Sequence, residues 1–257
     1  MESNRPGEPD VTGRIIERQM LLRNARGRSE EPDIPEGLDT CYSFMTISRD
    51  LGSLGDDISR LLAVRLGWHV FDKEIVDHIS ANSHVRETLV QQLDERVRTR
   101  AQDGMLRWFN IPESTPFGCE EYHEALVKTL MYLAALGNAI LVGRGANFAL
   151  RQSKSGLHVR LTASPQVRIR RLGKRWGLPQ NQAGKRMNEK DAERRAFIRH
   201  HFNQDLEDVR FYDLVFNTDG LSSQQVVGAI LRVMVHEDDA LHPMHPGITD
   251  SPGEPEG

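Results

Sequence analysis

The residues most able to do chemistry in this chain are glycines and arginines placed where apolar runs end. The clearest case is Ser48-Arg49-Asp50-Leu51-Gly52-Ser53-Leu54-Gly55-Asp56-Asp57-Ile58, which joins an apolar run to a helical pattern. Glycines there let a backbone wrap closely, and the exposed N–H groups opening a helix attract phosphate oxygens. A standard phosphate loop reads G-x-x-x-x-G-K-[ST], its Lys on the β/γ-phosphates and its hydroxyl on magnesium. Aligning Gly52-Ser53 with the G-S of that pattern puts Gly55 at the Lys position and Asp56-Asp57 at the hydroxyl positions. A helix-opening turn would account for the two aspartates equally well. The second case is Gly143-Arg144-Gly145, again closing an apolar run. A buried Arg is expensive without a partner, so Arg144 reads as a binding residue.

These groups need elements to hold them. Five short apolar runs alternate with helical patterns: Phe44–Ser48, Trp68–Phe71, Ala139–Val142, Leu157–Leu161 and Tyr212–Phe216. Their near-continuous apolar character predicts strands covered on both faces. Ile58, Leu61, Leu62 and Leu66 recur at helical spacing until Gly67 stops the helix. Ser164-Pro165 reads as an N-cap and first helical residue, and Ser222 to Val235 as a last helix. The alternation predicts a doubly wound α/β fold, three layers around a five-stranded parallel sheet. More than sixty residues separate the second and third strands, far beyond one crossover, so a helical insertion over about 74–137 is expected. Residues 1–40 read as a flexible arm and 237–257 as a disordered tail, leaving 41–236 as the folded domain.

Bulk properties narrow the function. The 257 residues are 38% hydrophobic and 27% charged, with a net charge of −4, so nothing global points to nucleic acid or a membrane surface. Residues 151–200 nevertheless hold fourteen Lys/Arg against three Asp/Glu, a local cationic surface suited to a polyanion such as a nucleoside triphosphate. Cys41 and Cys119 are the only cysteines and lack a histidine cluster, which argues against a disulfide scaffold or a zinc site. No apolar stretch approaches the roughly 20 residues of a membrane span, and no secretory signal is visible. A cytoplasmic protein is expected. His236, His242 and His245 read as incidental to the tail.

The segment TISRDLGSLGDDISRLLAVRLGWHVFDKEIV, starting at Thr46, resembles the opening of the cytidylate kinase-like family, whose glycine-rich loop lacks the usual Lys. AILVGRGANFAL resembles that family's V-G-R-G strand, and LHVRLTASPQVRIRRL the strand and basic helix after it. EKDAERRAFIRHHF, with YDLVFNT downstream, resembles its D-x-x-R-x-x-[YF] segment and last strand. The likeness spans about residues 43–235, in order. It implies the phosphate-loop type of three-layer α/β fold and a nucleoside monophosphate kinase using Mg2+ and ATP, with CMP or dCMP as acceptor. Gly52, Ser53, Leu54, Gly55, Asp56 and Asp57 would then cradle the donor phosphates. Asp72, Arg144, Asp191 and Arg194 would face the acceptor nucleotide. Arg168, Arg171 and Arg175 would lie on or before a basic lid, about 172–190, with Gly173, Gly177 and Gly184 as hinges.

The physical requirements agree with that assignment: phosphoryl transfer asks mainly for positioning and charge neutralisation, and guanidinium forks bind phosphate oxygens bidentately. The sequence also departs from the family. Leu54 replaces a typical glycine, Asp56 stands where Arg is frequent, and Met187-Asn188 replaces an Arg-Asp pair of authentic cytidylate kinases, leaving the acceptor base open. Asp56 or Asp57 could hold the metal in place of the missing hydroxyl. Asp191 and Arg194 could equally be a helix-face ion pair, and Asp72 a simple helix cap. The alternative function is a nucleotide-binding regulatory protein of the same fold with weak or no turnover. A dinucleotide-binding oxidoreductase fails because Phe148 replaces the third glycine of its motif. Partners are therefore expected to be small nucleotides; nucleic acid is not expected.

Overall fold

The computed structural model describes residues 42–82, 86–87 and 120–235. The arm 1–40, the tail 237–257, both cysteines and the middle of the expected insertion lie outside them. Along the chain run β1 (Phe44–Arg49), α1 (Gly55–Leu66), β2 (His69–Phe71), α2 (Lys73–Ala81), α3 (Glu120–Leu136), β3 (Ala139–Val142) and α4 (Ala146–Ala149). There follow β4 (Gly156–Thr162), α5 (Pro165–Trp176), α6 (Gln180–Phe202), a 3-10 turn (Val209–Phe211), β5 (Leu214–Asn217) and α7 (Ser223–Met234). All five expected strands form one parallel sheet in the order β2-β3-β1-β4-β5. The chain leaves β1 toward one edge, returns beside it as β3, then crosses to the other side as β4. The carboxyl end of β1 is thus a switch point, where open α/β sheets form their binding crevice.

Alternation along the strands divides the apolar residues between two cores. Met45 and Ile47 of β1, with Ile140, Val142, Leu157, Val159 and Leu161, face α1 and α7 through Ile58, Leu62, Val226 and Ile230. Phe44, Ala139 and Leu141 face the other way, onto Val76 and Ile79 of α2, Leu126 and Leu130 of α3, and Phe202 of α6. Helices on both faces make three layers. The second face of β1 and β4 is not apolar throughout. Registered pairs Thr46–His158 and Ser48–Arg160 are buried there, joined by hydrogen bonds of 2.8 Å and 3.3 Å. Buried polar groups survive when they are paired, and this seam climbs toward the carboxyl edge.

Helix ends follow local chemistry. Asp72 caps α2 by accepting from the Ile75 N–H at 3.1 Å, and Ser222 with Gln225 forms a capping box on α7. Pro165 opens α5 as its first residue, and the left-handed Gly67 and Gly177 close α1 and α5. The basic segment 172–190 is the end of α5, a short corner and the start of α6. Gly173 and Gly184 sit inside those helices, where an added Cβ would lie 3.1 Å from the Leu178 carbonyl and 3.2 Å from Ile169, respectively. The corner folding back on α5 accounts for the first, and close approach of α5 to α6 for the second. Between β2 and β3 lie α2 and α3, which pack on one another in the second core.

Candidate functional site

The turn after β1 is tight and internally bonded. The Ser53 N–H and hydroxyl both donate to the Asp50 carbonyl, at 3.3 Å and 2.9 Å. Gly52 has φ +87°, and a Cβ there would press within 3.2 Å of the Arg168 carbonyl and Leu172. Leu54 adopts φ +66° immediately before α1 and caps it with backbone only. A glycine would hold that conformation without strain, whereas a branched-chain residue carries about 1 kcal/mol or more. Leu54, where the resemblance leads one to expect glycine, thus holds a left-handed conformation at some cost.

Two of the expected lid arginines brace this turn from outside. Arg168 donates its Nε–H to the Leu51 carbonyl at 2.8 Å and pairs with Asp191. Arg171 donates to the Gly52 carbonyl at 3.2 Å and to the Thr218 carbonyl at 2.6 Å. Behind them Arg160 pairs with Asp50 at 2.5 Å, and Thr162 donates to the same carboxylate at 2.7 Å. Asp191 also accepts from Arg194 at 3.4 Å. The result is a mostly buried chain of alternating charge, Arg160–Asp50–Arg168–Asp191–Arg194, running from β4 through the loop to α6. Arg168 and Asp191 are 7% and 8% exposed. Burial of such a pair costs desolvation, which several hydrogen bonds per group offset. Arg175, by contrast, is exposed and holds Asp56 at 2.9 Å, while Arg60 holds Asp57 at 3.0 Å.

On the other side of β1 the turn Gly143-Arg144-Gly145 takes three successive positive φ angles, +81°, +54° and +69°. Neither glycine tolerates a side chain. A Cβ at 143 would stand 2.4 Å from an Arg49 terminal nitrogen, and one at 145 would enter the Phe202 ring. Arg144 pairs with Asp77 of α2, which also accepts from the Tyr122 hydroxyl at 2.8 Å. Its guanidinium lies 4.3 Å from the centre of the Phe197 ring, a cation–π contact. These contacts hold Arg144 against one wall of a 440 Å³ cavity over the carboxyl edge of the sheet.

Arg49, Arg144, Arg194, Lys73 and Lys190 line that cavity against two carboxylates, Glu74 and Glu193, with Phe197 and Leu206 as its apolar part. Glu193 is engaged by Lys190 at 2.8 Å. Arg49 stands apart: among the described residues its guanidinium has no hydrogen bond or ion pair, and its Nε is buried and unpartnered. Burial pushes it down to about 10, with the nearby Arg194 cation adding to the effect and Asp56, Glu74 and Asp72 opposing it. Arg49 and Arg194 thus bring two guanidiniums to the cavity, whose mutual repulsion an anion there would offset.

Of the residues singled out from sequence, Arg144 and Arg194 line one cavity with the loop's flank beside them. Asp191 sits behind Arg194, and Asp72 caps α2 at the rim. Arg168 and Arg171 serve the loop's backbone, and Arg175 lies at the surface. Sequence reasoning passed over Arg49, Asp50, Asp77, Arg160 and Phe197. Arg49-Asp50 did carry a signal: two charged residues ending a strand that is otherwise buried.

Among the described residues no three metal-ligating side chains converge, and no helix is long and apolar enough to cross a membrane. Magnesium needs no such cage, because it keeps waters and takes one or two carboxylates plus phosphate oxygens. Asp56 and Asp57, the carboxylates expected to hold it, stand in the first turn of α1, engaged by Arg175 and Arg60.

Fold and cavity together define a three-layer α/β protein with a cationic crevice at the switch point of a parallel sheet. The sequence model of the cytidylate kinase-like family matches residues 44–220, and the chain belongs to that family. It is 32% identical over 101 residues to a cytidylate kinase of Methanocaldococcus jannaschii, an alignment covering 38% of this chain and 57% of the relative. A cytidylate kinase of Pyrococcus horikoshii is 28% identical over 102 residues, covering 40% and 52%. The chain thus spans a little over half the length of these curated relatives. A solved structure, an uncharacterized protein from Eubacterium ventriosum, shares the fold with a TM-score of 0.56 at 14% identity, covering 74% of this chain and 97% of that one.

Proposed function

We propose that this chain transfers a phosphoryl group from Mg-ATP to a nucleoside monophosphate, CMP or dCMP. The observation that carries the reading is the cavity where Arg49, Arg144 and Arg194 converge between the glycine-rich turn and α6. An acceptor phosphate would lie among those guanidiniums, with its base toward Phe197 and Leu206. Donor phosphates would lie on the turn Gly52–Asp57, which Arg168 and Arg171 hold in shape. Asp56 and Asp57 would hold magnesium, Asp56 by releasing Arg175; the ion, when bound with ATP, neutralises charge on the β- and γ-phosphates. The chain's own part is positioning: guanidiniums fix two anions end to end and offset their repulsion. The name of the relatives supports a cytidine acceptor.

The test is an ADP-release assay with Mg-ATP against CMP, dCMP, UMP, AMP and GMP, with Arg144→Ala as control. Turnover on a cytidine monophosphate, reduced at least about 100-fold in the control, is expected. No turnover on any of the five, with ATP binding intact by calorimetry, would replace this reading with nucleotide-dependent regulation.

A further inference from the structure

The loop's missing lysine has a physical counterpart across the turn. Position 55, where the phosphate-loop lysine would stand, is glycine, and the space beside it is occupied. A Cβ at Gly55 would lie 2.6 Å from the Arg49 Cγ and 2.9 Å from its Cβ. The Arg49 stem therefore runs directly over the first residue of α1. Its far end reaches Gly143, where a second absent side chain leaves room for the guanidinium. Arg49 thus crosses from the glycine-rich turn to the Gly143-Arg144-Gly145 turn, between the proposed donor and acceptor phosphates.

Its bonding state separates it from every other arginine there. Arg144 has Asp77, Arg194 has Asp191, Arg168 and Arg171 have carbonyls, and Arg175 has Asp56. Arg49 has no such partner among the described residues, while its Nε is shut off from water. Folding has partly withdrawn a cation from solvent next to a second cation, with Asp56, Glu74 and Asp72 nearby but none of them in an ion pair with it. An arrangement of that kind is retained where a ligand completes it.

We propose that Arg49 is the phosphate-binding cation of this enzyme, supplied from the end of β1 in place of the loop lysine, and bridging the transferred phosphoryl group. This rests on the kinase reading for its catalytic part, but not for its phosphate-binding part. Guanidinium differs from ammonium in offering a planar fork, able to reach oxygens of two phosphates at once. Glycine at 55 and glycine at 143 are then requirements of the same device.

The experiment compares Arg49→Met and Arg49→Lys with the wild-type chain. Met retains the stem that packs on Gly55 and removes only the charge. Thermal unfolding of Arg49→Met should be unchanged or higher, because a half-buried cation without an ion pair among the described residues has been removed. Calorimetric affinity for inorganic tripolyphosphate and for Mg-ATP should fall at least about 10-fold, and kcat at least about 100-fold, the range for a lost charge-assisted contact. Arg49→Lys should recover part of the affinity, and added guanidinium ion part of the turnover of Arg49→Ala, where truncation leaves it room. The double variant Arg49→Ala with Gly55→Lys should bind tripolyphosphate more tightly than Arg49→Ala alone. Equal tripolyphosphate affinity in wild type and Arg49→Met, or no binding by wild type, would overturn the assignment. Binding lost in Arg49→Met, with no turnover of any monophosphate by wild type, keeps Arg49 as phosphate ligand and removes the kinase reading instead.

Discussion

Two sets of arginines meet at the carboxyl edge of the sheet, and they are treated differently by the fold. On the loop side, Arg160, Arg168 and Arg171 are engaged by Asp50, Asp191 and backbone carbonyls. On the cavity side, Arg49 has no ion pair among the described residues and Arg194 has one long contact at 3.4 Å. Identical side chains thus divide into struts and receptors according to what already satisfies them. The difference teaches that local positive charge alone does not locate a ligand. An arginine whose donors are taken by the protein sets a shape, and one whose donors are open sets an affinity.

The largest effect that would break this division is on the strut side. Asp191→Ala leaves Arg168 buried beside Asp50 alone and should lower unfolding free energy by about 3–5 kcal/mol. Urea denaturation measures it, and a loss below about 1 kcal/mol would mean the chain of charges is not bracing the loop. Arg194→Ala should do the reverse. Its side chain is 30% exposed, so stability should change by less than about 1 kcal/mol, while CMP affinity by calorimetry falls about 10–100-fold.

The smallest effect concerns pH. His201, behind the Phe197 wall, is pushed down to about 4 by burial first, then by His200, His123 and Arg144. Its neutral form is the folded one. Stability is therefore full above about 6.5, its unfolded value, and declines as pH falls toward 4 while only the unfolded chain takes up the proton. His201 is partly open to solvent, so the loss should amount to about 1 kcal/mol. His158, buried among β1, β4 and Asp213, is also pushed down to about 4, by burial above all. Thermal melts of His201→Asn across pH 7 to 4 should show a shallower decline than wild type, with the remainder assigned to His158.

Much of the fold was legible because apolar runs and helix-end residues act locally. The five strands, the Gly67 stop, the Pro165 start and the Ser222 cap all depend on neighbours within a few positions, and the structure has them where the pattern placed them to within two residues. Arg144 was legible for a related reason: an arginine between two glycines at the end of a buried strand needs both an unusual backbone and a partner. The partner, Asp77, was not legible, since it lies 67 residues away on α2. The same holds for Arg160 with Asp50, 110 residues apart.

The sequence by itself determined the strand–helix alternation, the glycine-rich turn and the family. Each is carried by contiguous residues whose backbone preferences and periodicity need no distant contact. Only the tertiary structure decided which arginines line the cavity with donors still open. That depends on which donors are already satisfied across β1, β4, α2 and α6, and on the space that Gly55 and Gly143 leave for Arg49. Satisfaction of a charge is a property of its surroundings in three dimensions, and residue type does not carry it.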